Sequence, residues 1–129
     1  MKYYSSICLL AKDENEYINE WLEWHINKLK FDHIYIYDNE SSIPLIKTID
    51  EKYKDYITIR DWTAEHYNSI MQVKCYENFI EFHGKDNHWT AFIDADEFIR
   101  TIDDCSINDF LMEYEDYNGQ GSTIFINFM

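Results

Sequence analysis

The stretch Ala91–Ile99, AFIDADEFI, runs an apolar segment into three acids within four positions, Asp94, Asp96 and Glu97, before Phe98 and Ile99 resume. Residues two apart in an extended chain point to the same side, about 6–7 Å apart at the backbone. Two carboxylates at that range repel by about 2 kcal/mol at an effective dielectric near 20. A hard divalent cation relieves the repulsion. Mg2+ or Mn2+ takes one or two carboxylates, keeps some water and completes its shell with phosphate oxygens. Asp94 and Asp96 are therefore candidate metal ligands. Glu97 either reaches a metal-bound water or caps local backbone. The bland alternative is a solvated pair in a chain with 25 acids. The apolar run WTAFI weighs against it, because a surface acid needs no buried strand to place it.

The chain of 129 residues has room for one domain with a real core. Three glycines and one proline leave no linker, and no repeat is visible. A net charge of −14 repels phosphate backbones, so nucleic acid is not an expected partner. An anionic ligand then needs a local exception, such as a bound metal ion. Cys8, Cys75 and Cys105 form no CxxC, which predicts reduced thiols and a cytoplasmic chain. The apolar run ICLLA is too short for a membrane span, leaving only peripheral attachment through a partner.

Elements that could position the acids follow from pattern. YSSICLLA (Tyr4–Ala11) reads as a buried strand. A helix over Asn15–Lys28 is predicted, with Asp13 and Glu16 spaced as a capping box and His25 as a packing residue on its apolar side. Asp32–Asp38 and Tyr56–Trp62 read as strands flanking one short helix, PLIKTIDEKYK. A longer helix is predicted over Tyr67–His83, with Ile70, Val73, Glu77 and Ile80 on one face and Gly84 as its stop. HWTAFID is the fourth strand. Ser106 and Asp109 cap a helix, and Ser122–Phe128 is a last strand. Strands alternating with helices predict an α/β fold, with a mostly parallel sheet and helices on both faces. Ligands bind such sheets at the carboxyl ends of the strands. Three of those ends carry polar clusters, AKDE, DNESS and DADE.

LLAKDENEYINEWLEWHINKLKFDHIYIYDNESS followed by WTAFIDADEF resembles the family 2 and family 92-like glycosyltransferases, over about Ser6 to Ile99. The resemblance implies a nucleotide-sugar-binding GT-A-like (Rossmann-like) three-layer sandwich. It implies a metal-dependent transferase that moves a sugar from a nucleotide-diphosphate donor, a UDP-sugar favoured, to a saccharide acceptor. Mn2+ or Mg2+ would sit on Asp94 and Asp96, the second Asp the more direct ligand, with Asp94 also facing the donor. Lys12, Glu14 and Asp38 would hold the nucleoside, with Asp38 on base or ribose, and Gln72 would lie near the donor. On residue type alone, Asp38 is also a turn residue, Glu14 a helix-start residue and Lys12 a solvated charge.

Members of this family continue past the last strand with an acceptor-binding half that supplies the catalytic base. No such base is identifiable here, so residues 1–129 read as the donor-binding part, with the acceptor half missing and self-association expected over uncovered apolar surface. Two competing readings remain. One is a non-catalytic nucleotide-sugar-binding remnant or interaction module. The other is a haloacid-dehalogenase-type phosphatase, in which Asp94 would be a nucleophile; the late position of the motif and the EF after it count against this.

Overall fold

A computed structural model describes residues 2–63, 69–115 and 122–123. Five strands, β1 (Tyr3–Ala11), β2 (His33–Asp38), β3 (Ile57–Asp61), β4 (Asn87–Phe92) and the two-residue β5 (Ser122–Thr123), form one sheet in the order β3-β2-β1-β4-β5. Every pairing is parallel. Residues 124–128 of the expected last strand lie outside the described residues. Helices α1 (Ile18–Leu22), α2 (Leu45–Thr48), α3 (Ser69–His83) and α4 (Ile107–Met112) alternate with the strands, as an α/β fold requires. Among the described residues no helix is long and apolar enough to cross a membrane.

Strand alternation divides the core into two layers. Ile7, Leu9, Ile34, Ile36, Trp89 and Ala91 pack on one face with residues of α1, α2 and α4. Cys8, Tyr35, Tyr37 and Phe92 pack on the other with Cys75 and Phe79 of α3. β2 is buried along its whole length, whereas β3 alternates half-buried and exposed positions at the sheet edge.

Several local expectations are corrected. Asp13 caps no helix: its backbone is left-handed (φ 56°), its amide donates to Ser41 Oγ at 2.9 Å, and its carboxylate accepts from the Ser42 amide at 2.7 Å. Asp13 instead ties the turn after β1 to the turn after β2. The helix begins three residues later than predicted, at Ile18, and widens into π-turns over Glu23–Lys28. The short helix after β2 is broken in two. Asn19 of α1 donates to the Thr48 carbonyl and accepts from the Asp50 amide, holding Ile49 and Asp50 extended between α2 and a 3-10 segment, Glu51–Tyr56.

Helix α3 turns a different face to the sheet than predicted. Met71, Cys75 and Phe79, spaced by four, are buried, while Ile70, Val73 and Ile80 are more than half exposed. The inner stripe carries Phe79, whose ring meets Tyr35 at 5.0 Å and Phe92 at 5.7 Å. Tyr67, the predicted start, lies outside the described residues. The helix ends at His83, so Gly84 is its stop as predicted, and the chain continues in a 3-10 turn, Gly84–Asp86. The Ser106 cap is present: its Oγ accepts from the Asp109 amide at 3.2 Å.

Candidate functional site at the sheet switch point

The strand order reverses beside β1: the chain moves outward through β2 and β3, then returns to place β4 on the other side of β1. Crevices at such a reversal, outside the carboxyl ends of the strands, are where open parallel sheets bind ligands. Here the crevice is a cleft of about 410 Å³. Lys12 and Glu14 enter it from the turn after β1, Asn39 from the turn after β2, Met71 and Gln72 from α3, and Asp94 and Asp96 from the turn after β4. Of the residues predicted from sequence, Lys12, Glu14, Gln72, Asp94 and Asp96 share this one cleft.

The acids converge for a reason other than strand alternation. β4 ends at Phe92, and Asp94–Glu97 is a turn closed by the Glu97 amide on the Asp94 carbonyl at 3.0 Å. Glu97 Oε1 accepts from the Asp94 amide at 2.8 Å, so Glu97 takes the backbone-capping role. One carboxylate oxygen from each of Asp94, Asp96 and Glu97 falls within 4.8 Å of the others. At that spacing each pair of charges repels by roughly 3 kcal/mol at an effective dielectric near 20. Desolvation in the cleft, then the charges of Glu97 and Asp96, raise the pKa of Asp94 from its ordinary value. Gln72 Nε2 reaches Asp94 Oδ1 at 3.4 Å and donates to the Tyr76 hydroxyl at 2.9 Å.

The turn is clamped from α1. Trp21 Nε1 donates to the Glu97 carbonyl at 2.9 Å, and Trp24 Nε1 to the Ile99 carbonyl at 2.7 Å. His25 Nε2 accepts from the Ile99 amide at 3.2 Å, which leaves its Nδ1–H to donate to the Trp21 carbonyl at 2.9 Å. Burial holds His25 neutral, its pKa pushed down to about 4. The packing role predicted for His25 is thus joined by a positioning one: the EWLEWH segment fixes the backbone that follows the acids.

The donor set fits a hard divalent cation. All three candidate groups offer carboxylate oxygens, the donor type that Mg2+ or Mn2+ takes, and they lie within 4.8 Å of one another. Glu97 spends one of its two carboxylate oxygens on the turn, while among the described residues Asp94 and Asp96 make no hydrogen bond to the turn backbone through their side chains.

Asp38 stands apart from the cleft. It is 3% exposed, Oδ1 accepts from the Ser41 amide at 3.1 Å and Oδ2 from the Leu45 amide at 2.9 Å. It borders a separate hollow of about 240 Å³ with Asp61 and Trp62. Its neighbour Asn39 lines the main cleft, and the buried Asn39 Oδ1 has no hydrogen-bond partner among the described residues. A buried amide oxygen without a donor costs about 1–3 kcal/mol, which a ligand N–H or O–H would recover. Asn39 is not among the site residues singled out from the sequence; its place in the DNESS cluster at a strand end was the available signal. No protein-family model, curated protein or solved structure matches the chain.

Proposed function

We propose that this chain is the donor-binding part of a metal-dependent glycosyltransferase that uses a nucleotide-diphosphate sugar, a UDP-sugar favoured, to glycosylate a saccharide. The observation that carries the reading is the switch-point cleft, which gathers Asp94 and Asp96 with Lys12, Glu14, Gln72 and Asn39 in one acidic crevice. A divalent ion there would neutralise the diphosphate and stabilise the charge that develops on it as the leaving group. Asp94 and Asp96 would hold that ion, with Gln72 orienting Asp94. Lys12 would face the phosphates, and Glu14 and the Asn39 carbonyl would take hydroxyl or N–H donors of the nucleoside. Asp38 serves the cleft indirectly, by fixing the turn that carries Asn39.

Calorimetry with Mn2+ alone, UDP alone and both together tests the reading. The expected result is weak binding of either component and at least tenfold tighter binding of UDP with Mn2+, abolished by Asp96→Asn. Equal UDP affinity with and without metal would sink it. Donor binding with neither hydrolysis nor transfer to any acceptor would place the chain with the non-catalytic alternative. A phosphoaspartate trapped on Asp94 would assign it to the phosphatase class.

A further inference from the structure

A second hollow lies among the described residues, apart from the switch-point cleft. It is an open groove of about 710 Å³ along the π-turns that follow α1. Its walls are aromatic: Trp24 from the π-turns and Phe98 from the segment clamped against them. The Trp24 indole N–H is consumed by the Ile99 carbonyl at 2.7 Å, so the ring is fixed and offers only its π-surface. Phe98 is 39% exposed yet held, stacked on His25 at 5.8 Å and edge-on to Trp24 at 6.3 Å. The rim is polar and of both signs. Glu20 and Glu23 supply acceptors, and Asn27, Lys28 and Arg100 supply donors. The Lys28 ammonium and the Arg100 guanidinium lie 5.9 and 6.0 Å from the Trp24 ring centre.

We propose that this groove is a saccharide-binding site, taking a neutral hexose or N-acetylhexosamine unit of an oligosaccharide. The rim selects the ligand class. An anion would meet the carboxylates of Glu20 and Glu23, and a cation would meet Lys28 and Arg100. Glu23 already accepts from the Asn27 side-chain amide and, at 2.6 Å, from the Tyr53 hydroxyl, so a plain hydrocarbon would offer no hydrogen bond to the rest of the rim, Glu20, Lys28 and Arg100. A polyol satisfies acceptors and donors at once, because each hydroxyl donates to a carboxylate and accepts from an ammonium, guanidinium or amide. A pyranose also has an apolar C–H face, which a fixed aromatic wall can cover. The π-turns, a helix form often found at functional sites, carry four of the lining residues, Glu23, Trp24, Asn27 and Lys28.

Position adds a role. Phe98 follows Asp96 by two residues, so at most about 7 Å of backbone separates the groove wall from the acidic turn. A saccharide seated in the groove would therefore touch the segment that leads out of the acidic turn. As an acceptor subsite the groove rests on the glycosyl-transfer reading; as a saccharide site it does not.

The test is titration of the full chain, without metal or nucleotide, with cellotetraose, maltotetraose, mannotetraose and chitotetraose. The readout is the 1H–15N spectrum, with the Trp24 indole N–H and the Arg100 amide as reporters. We expect at least one neutral sugar to shift these signals with a Kd of about 1 mM, and Phe98→Ala and Arg100→Gln each to weaken it about tenfold. Both positions are exposed, so these variants keep the fold, which the unchanged remainder of each spectrum verifies. No shift from any of the four sugars at about 10 mM, or a shift indifferent to both variants, overturns the proposal. So does preferential binding of a uronate or glucosamine oligomer, or a shift produced by protein concentration alone, which would assign the groove to a second copy of the chain. UDP–Mn2+ binding without saccharide binding removes this inference and spares the donor reading; the reverse result removes only the donor reading.

Discussion

Acidification should loosen the clamp on the acidic turn through His25. The ring is fully buried, with one nitrogen donating to Trp21 and the other accepting from Ile99. Its pKa falls from an ordinary 6.5 to about 4 on folding, because burial penalises the imidazolium. A group whose folded pKa is depressed binds more protons when unfolded. Its stabilisation is therefore complete above about pH 6.5 and is lost as pH falls toward 4. The full difference is about 3 kcal/mol at 1.36 kcal/mol per pKa unit, and about 2 kcal/mol of it is gone by pH 5. His33, also pushed down to about 4 by burial and then by Lys2 and His83, adds loss of the same sign over the same range. The contribution of His25 is isolated by comparing the wild type with His25→Gln, which cannot titrate. Urea unfolding followed by far-UV circular dichroism, from about pH 8 to pH 5, should give a wild-type stability that falls about 2 kcal/mol further than that of the variant. The variant starts lower at pH 8 but has the shallower slope. Parallel slopes would refute the reasoning, since His25 would then titrate alike in the folded and unfolded chain.

Two further outcomes follow from the packing. Phe79→Ala should cost about 3–5 kcal/mol of stability, whereas Val73→Ala on the outer stripe should change it by under about 0.5 kcal/mol, both read by urea unfolding; the opposite ranking would mean α3 faces the other way. Asp38→Asn should lower stability by about 1–3 kcal/mol by weakening the bonds to the Ser41 and Leu45 amides, while leaving UDP–Mn2+ affinity within about twofold in calorimetry; a tenfold loss of affinity at unchanged stability would return Asp38 to the nucleoside.

The order of elements was legible in the sequence because β1, β2 and β4 are short apolar runs bounded by polar turns, and such runs have one use in an alternating pattern. The place of the cleft was legible for the same reason: parallel strands bring the turns that carry Lys12, Asn39 and Asp94 to one edge. The inward face of α3 was not legible. Its two apolar stripes, Ile70/Val73/Ile80 and Met71/Cys75/Phe79, are offset by about one residue, and periodicity does not rank them; Phe79 decides, through aromatic partners on β2 and β4. The break after Thr48 depends on Asn19, about thirty residues earlier in the chain. The role of Asp38 turned on which amides lie above it, a matter of three-dimensional placement. The groove beside Trp24 depends on π-turns, which no local composition announces.

The placement of β1 between β2 and β4 has a consequence for how the protein is made. Ser6 is level with His33 on one side and Thr90 on the other, so the first neighbour arrives within 27 residues and the second only after 84. Until β4 emerges, β1 carries an open, apolar edge, the kind of surface that pairs with other chains. Pairing across such a separation is slow, because the loop must close before contacts reward it. The switch-point cleft lies between these two strands and so comes into being only at that last closure. A ligand that bridges the turns after β1 and β4 would therefore stabilise the whole domain against unfolding and not a local part of it, and its binding would serve as a readout that synthesis and folding had both run to completion.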